Sequence, residues 1–309
     1  MIYFFVIIVS FLISLIAVFF LKKRAFKYHF FDDPEGDKLK IHKKPIPYLG
    51  GVGIFFGLIA GLVFSRLLHQ ISGLQSLGII IGSIIIIFLG FWDDLKWKKF
   101  GQPMIKFFCQ LIAGFLIVLV LIKIGVDFHF SINFIIASLI AAFYIVGAMN
   151  TVNMEDGLDG LAGSITAISL IGFIYLATKE NNLFALTISL GTLGGIFGFL
   201  VYNWHPASIF MGDNGSHFLG FILAVLAIMF TSHNLKQFIG PILILGLPIF
   251  DTTLAIIRRI IKGKSPFLGD RSHLYDLIHR KGVSVPKTVF ICLIIQFIIV
   301  SGGIIIYSL

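Results

Sequence analysis

Apolar residues run through this chain in long unbroken stretches, and polar residues are gathered into the short segments between them. Ten apolar runs, at roughly 2–21, 49–68, 76–91, 104–124, 131–149, 161–178, 183–202, 218–231, 238–258 and 285–307, recur along the sequence. A helix of about 17–25 such residues crosses a hydrocarbon core ~30 Å thick. The runs at 76–91 and 218–231 are the short ones. Inside the runs apolar positions are continuous and not alternating, so a β-barrel is a poor fit and helices are expected. The pattern predicts an all-α, polytopic integral membrane protein with about ten transmembrane helices, residues 1–309 forming one domain. Gly50, Gly51, Gly53, Gly57 and Gly61 sit at small-residue spacing in the second run and predict close helix packing.

The polar segments are unequal. Those at 22–47, 92–103 and 258–284 carry eight, three and seven Lys or Arg, whereas alternate connectors carry almost none. The positive-inside rule places the basic connectors in the cytoplasm, and ten spans then put both termini outside. The first run has no basic residue before it and is followed by Lys22-Lys23-Arg24, which predicts an anchor and not a cleaved leader. Thirteen of the fifteen Asp and Glu fall in or beside the five expected inner connectors, these three basic ones with 150–160 and 203–217. Carboxylates are expensive near hydrocarbon, so their concentration on one face predicts a site for a metal ion and a phosphorylated ligand.

Composition narrows the classes. The chain is 58% hydrophobic and 13% charged, with a mean hydropathy of +1.00, which excludes a soluble domain of 309 residues. The net charge of +9 reads as topology and as affinity for anionic headgroups; no nucleic-acid partner is expected. Cys109 and Cys292 stand alone in apolar runs and predict two core thiols. His69, His129 and His233 fall on the outer side, and only His273 and His42 are expected to take part in chemistry.

Four inner segments carry candidate chemistry. Asp93-Asp94, closing the third run beside Lys96, pairs two carboxylates that repel unless a cation or a proton-accepting task holds them. Oxygen-only donors favour Mg²⁺ or Mn²⁺. Asn150 and Asn153 share a helix face if the fifth run continues helically. Glu155, Asp156 and Asp159 follow, with Gly157 and Gly160 permitting a tight turn and close approach of a ligand. Asp213, set in Gly212-Asp213-Asn214-Gly215-Ser216, can meet a metal, while Asn214 or Ser216 can cap the next helix. Arg271 offers forked donors to phosphate, and His273 can donate to phosphate with Asp276 to orient it. Lys106 opens the fourth run, and Asp251 lies inside the ninth with Arg258 as a candidate partner. Leu254–Lys262 is expected to lie along the membrane interface.

Taken in order, these segments resemble the polyprenyl-phosphate N-acetylhexosamine-1-phosphate transferases, the membrane family that starts lipid-linked peptidoglycan, O-antigen and teichoic acid synthesis. The resemblance covers most of the chain: Ile41-His42-Lys43-Lys44-Pro45-Ile46-Pro47 leading to Gly50-Gly51, then Asp93-Asp94, 150–160, 212–216, Pro248-Ile249-Phe250-Asp251 and Arg271-Ser272-His273. It implies transfer of a sugar 1-phosphate from a UDP-sugar to undecaprenyl phosphate in the cytoplasmic membrane, with Mg²⁺ (or Mn²⁺) required and UMP released. By the resemblance Asp93, Asp94, Lys106, Arg271 and His273 are catalytic. Asn150, Asn153, Asp156 and Asp159 bind the nucleotide sugar, and Asp213 with Asn153 holds the metal. His42, Lys44 and Asp251 are lipid-side candidates. Many members carry His-x-His-His where this chain reads His273-Leu274-Tyr275-Asp276, so the later histidines' roles do not transfer. That stretch is more similar to the O-antigen and teichoic acid initiators than to the peptidoglycan enzyme. A transporter is the alternative from another class, and a homodimer stays open.

Overall fold

A computed structural model describes residues 2–34, 44–97, 103–123, 125, 133–232, 234–265 and 272–309. Among these, nine helices are long and apolar enough to cross a membrane, and a bent pair adds a tenth if counted as one span. They are α1 (Ile2–Lys27), α2 (Gly50–Leu67), α3 (Gly73–Trp92), α4 (Pro103–Lys123), α5 (Phe134–Met154), α6 (Leu161–Lys179), α7 (Leu183–Asn203), α8 (Gly212–Met229) and α12 (Val285–Ser308), with the bent pair α9 (Leu235–Leu245) and α10 (Leu247–Ile261). A short helix α11 (Leu274–His279) precedes α12, and a two-residue antiparallel ladder joins β1 (Phe31–Asp32) to β2 (Ile46–Pro47). The multi-pass, all-helical architecture expected from the apolar runs is present.

Small residues set the packing. Gly57 lies against Gly195 and the Ser10 carbonyl, Gly61 against Gly191 and Ser10, and Gly194 and Gly198 against the carbonyls of Ile7 and Phe11, so α1, α2 and α7 approach backbone to backbone. Ser14 Oγ donates to the Gly195 carbonyl at 2.7 Å across that seam. In lipid, where apolar burial gives no drive between helices, such close approach supplies the dispersion contacts that hold them. Helix α8 is the axis: Asn214 to Ile228 is buried throughout, against α2, α3 and α5. At its N-terminal end a Cβ on Gly51 would overlap Gly215, and one on Gly90 would overlap the Asn214 backbone. These glycines bring the ends of α2 and α3 onto the start of α8.

The ninth apolar run differs from expectation. It is two helices meeting at 83°, with Gly246 at φ +65° and ψ −131° between them. An apolar run reports depth in the membrane but not direction, which is why the bend was invisible. Gln296, buried on α12, accepts the Leu247 N–H at 2.7 Å and donates to Ser169 Oγ at 2.7 Å. It thereby satisfies one of the exposed donors at the start of α10. Gln296→Leu is expected to cost about 2 kcal/mol, the scale for orphaning buried polar groups. Thermal unfolding in detergent checks it, and an unchanged midpoint would show that the bend does not need this cap.

Candidate active site

The predicted inner connectors meet at one end of the bundle. Backbone bonds run from Phe210 N to the Pro47 carbonyl (2.7 Å), Gly50 N to the Phe210 carbonyl (2.9 Å) and Gly51 N to the Met211 carbonyl (3.0 Å), zipping residues 47–51 to 210–211. Beneath them Gly212 takes φ +77°, a left-handed turn in which a Cβ would crowd the Tyr48 carbonyl, and α8 starts there. After α3, residues Asp93–Trp97 form a π-helical turn. That turn presents the two aspartates differently.

Asp94 reaches the start of α8. Its carboxylate accepts from the backbone N–H groups of Asp213 (3.3 Å) and Asn214 (3.4 Å) and from Asn214 Nδ2 (3.1 Å). A helix N-terminus presents unsatisfied donors and partial positive charge, so an anion is favoured there. Asp93 is buried and ion-paired with Lys106 from α4. The Asp93 and Asp213 side chains lie close enough to interact directly. Asn153, on the helical continuation of α5, donates its amide to Asp213 Oδ1 and Ser216 Oγ, both at 2.9 Å. Three carboxylates and one ammonium thus gather at one point. A second polar layer lies one helical turn deeper: Asn150 Nδ2 donates to Gln110 Oε1 (2.8 Å) and to the Val146 carbonyl (2.8 Å), and Gln110 Nε2 meets His217 Nε2 at 3.5 Å. Asn150, expected to bind nucleotide sugar, spends both donor hydrogens inside the bundle.

A cavity of about 650 Å³ opens beside this cluster, lined among others by Lys44, Tyr48, Asp94, Asp156, Asp159, His205, Phe210 and Asp213. Asp156, Asp159 and Lys44 therefore stand where a ligand could reach them. Asp159 is tied down, accepting from His205 Nδ1 at 2.7 Å and from the Ala207 N–H at 3.0 Å.

The remaining expected residues sit apart. His273 is 4% exposed, and its Nδ1 is 2.7 Å from Asp251 Oδ2, while Asp251 Oδ1 accepts the Leu274 N–H at 2.9 Å. The orienting carboxylate is Asp251 and not the expected Asp276. Asp251, expected on the lipid side, is 4% exposed and turned inward, because the start of α11 and the His273 ring are its hydrogen-bond partners. Arg258 approaches it at 3.9 Å. The Tyr275 ring stacks on His273 at 5.8 Å, its Oη donates to the Met154 carbonyl at 3.1 Å, and a Cβ on Gly157 would overlap it. His273 thus docks α11 onto α10 and Tyr275 docks it onto the 154–157 turn, and among the described residues His273 and Lys106 are both absent from the cavity wall. Glu155, Asp251 and His273 offer atoms within 4.8 Å of one another. Burial, reinforced by the Asp251 charge, pushes the Glu155 carboxyl well above the ordinary carboxylate range. His42 and Arg271 lie outside the described residues.

The residues not anticipated are Asn203, His205 and Gln110. Asn203 and His205 fall in the inner connector 203–217, so sidedness alone was a usable signal for them. Gln110 sat four residues from Lys106 on one helix face. Asp93, Asp94 and Asp213 are oxygen donors, two of them on the cavity wall, and their excess negative charge fits a hard divalent cation.

Residues 76–231 match the sequence family described as Glycosyl transferase family 4. A probable undecaprenyl-phosphate N-acetylglucosaminyl 1-phosphate transferase of Bacillus subtilis is 36% identical over 98% of this chain and 85% of its own length. Two phospho-N-acetylmuramoyl-pentapeptide-transferases are similar at lower identity. That of Bacillus licheniformis is 30% identical over 89% of each chain. That of Streptococcus mutans is 33% identical over 77% of this chain and 75% of its own.

Proposed function

The chain belongs to glycosyl transferase family 4, and from that premise we propose how this membrane enzyme works: it transfers a sugar 1-phosphate from a UDP-sugar to undecaprenyl phosphate and releases UMP. N-acetylglucosamine is the proposed sugar, supported by 36% identity to the Bacillus subtilis relative against 30% and 33% to the two pentapeptide-transferases. The basic connectors support a site on the cytoplasmic face of the cell membrane. The observation that carries the reading is the convergence of Asp93, Asp94, Asp213 and Lys106 beside a cavity of about 650 Å³ at one end of the bundle.

Phosphoryl transfer asks for positioning and charge neutralisation more than covalent help. Asp213 and Asp94, with Asp93 behind them, would hold Mg²⁺, whose charge offsets that of the diphosphate. Asn153 fixes the Asp213 rotamer through its amide hydrogen. Lys106, anchored by Asp93 and partly exposed, would donate to a phosphate oxygen. Lys44 supplies a second cation at the cavity wall. The acceptor phosphate carries a second pKa near ~6 and is largely dianionic at neutral pH, so it needs little base help. Its oxygen attacks the sugar-linked phosphorus in line, one P–O bond forms, and the P–O bond to UMP breaks.

Purified protein supplied with Mg²⁺, undecaprenyl phosphate and a panel of UDP-sugars tests the assignment. UMP release is expected to be fastest with UDP-N-acetylglucosamine. Preference for the N-acetylmuramoyl-pentapeptide donor would move the enzyme to the peptidoglycan branch.

A further inference from the structure

Among the described residues, His205 is the one histidine on the cavity wall. Its side chain is 41% exposed and yet held on its other side, with Nδ1 2.7 Å from Asp159 Oδ2. A carboxylate oxygen accepts, so Nδ1 donates, and Nε2 is the ring nitrogen left for a ligand. The loop that carries it is tied at both ends. Asn203 Oδ1 accepts the Gly160 N–H at 3.0 Å, Asn203 Nδ2 donates to the Ile209 carbonyl at 2.8 Å, and Ser208 N donates to the Tyr202 carbonyl at 2.8 Å. The ring is therefore pre-positioned, and a ligand meeting it pays little for ordering.

Asp94 and Asp213 lie on the cavity wall where a cation and a diphosphate are proposed, while Asn203, His205 and Pro206 line it beside Asp156 and Asp159. We propose that His205 is a donor-substrate binding residue whose Nε2 accepts a hydrogen bond from a hydroxyl or N–H of the nucleotide sugar, with Asp159 the residue that positions it. This rests on the transferase reading.

The test is steady-state kinetics of UMP release. His205→Ala and His205→Phe are expected to raise the KM for UDP-N-acetylglucosamine about 10-fold, the loss of one neutral hydrogen bond to a pre-organised acceptor. The KM for undecaprenyl phosphate and kcat should stay within about twofold. The phenylalanine variant keeps a planar ring on the loop, so it separates a lost acceptor from a disturbed fold. Asp159→Asn, whose amide can reverse the direction of the contact, should raise the same KM without moving the lipid KM. Inhibition by UMP locates the contact: a Ki raised in step places it on the nucleoside, and an unchanged Ki places it on the transferred sugar. Donor KM values within twofold of wild type in both His205 variants would overturn the proposal, as would a fall in kcat accompanied by an equal change in the lipid KM. A wild-type protein that releases no UMP from any UDP-sugar would instead remove the transferase reading on which it rests.

Discussion

Asp213→Asn is expected to lower kcat at least ~100-fold while the protein stays folded. The Asp213 side chain sits at the first turn of α8, faces Asp93, and is held by Asn153 at 2.9 Å. The asparagine keeps the volume but removes the charge that would bind a cation against the diphosphate, and loss of one charge-stabilising contact in a preorganised site has this scale. Two readouts separate the cause. Turnover should fall, and the concentration of Mg²⁺ needed for half-maximal rate should rise. A variant with normal turnover at ordinary Mg²⁺ would mean that the α8 end is structural and that the charge lies elsewhere.

Asp93→Asn is the second large effect, and it has a different origin. Asp93 is buried and ion-paired with Lys106, which is partly exposed, so the substitution takes away the carboxylate that is paired with the ammonium. Breaking a fully buried pair on one side costs roughly 3–5 kcal/mol, and the partial exposure of Lys106 puts the expected loss below that range. A fall in turnover of about 100-fold should therefore come with a clear loss of thermal stability. The double variant Asp93→Asn/Lys106→Met removes both charges. It is expected to recover most of the stability and none of the turnover, because Lys106 is the group proposed to meet the phosphate. Recovery of turnover as well would show that the pair is only structural. The two changes touch each other, so their effects should be strongly non-additive.

Hydropathy made the helices legible because a membrane span must be both apolar and internally hydrogen-bonded. It missed the bend at Gly246, although Gly246-Leu247-Pro248 carries its signal, a glycine followed by a proline in the first turn of α10. Charge asymmetry made the location of the site legible, since it sorted the polar connectors to one side before any contact was known. Which residue touches which was not legible. That Asp94 sits on the start of α8 while its neighbour Asp93 binds Lys106 depends on the π-helical turn and on the close approach permitted by Gly90, both tertiary features. Asp251 looked like a lipid-side carboxylate because it lies in an apolar run. The bend between α9 and α10 and the return of the chain through α11 turn it inward to His273 instead. A lone histidine before a proline carries no motif, so for His205 the sequence offers sidedness alone, and the cavity supplies the rest.

The central claim is that one pocket at one end of the bundle joins a nucleotide sugar to a lipid phosphate. Isotope-labelled UDP-N-acetylglucosamine carrying ³²P on the sugar-linked phosphorus addresses it with purified protein in bilayer discs. The account predicts that label moves to undecaprenyl phosphate in step with UMP release, and that neither occurs when the lipid or the divalent cation is left out. UMP release that continues without undecaprenyl phosphate, or label that ends in water-soluble sugar phosphate, would contradict it.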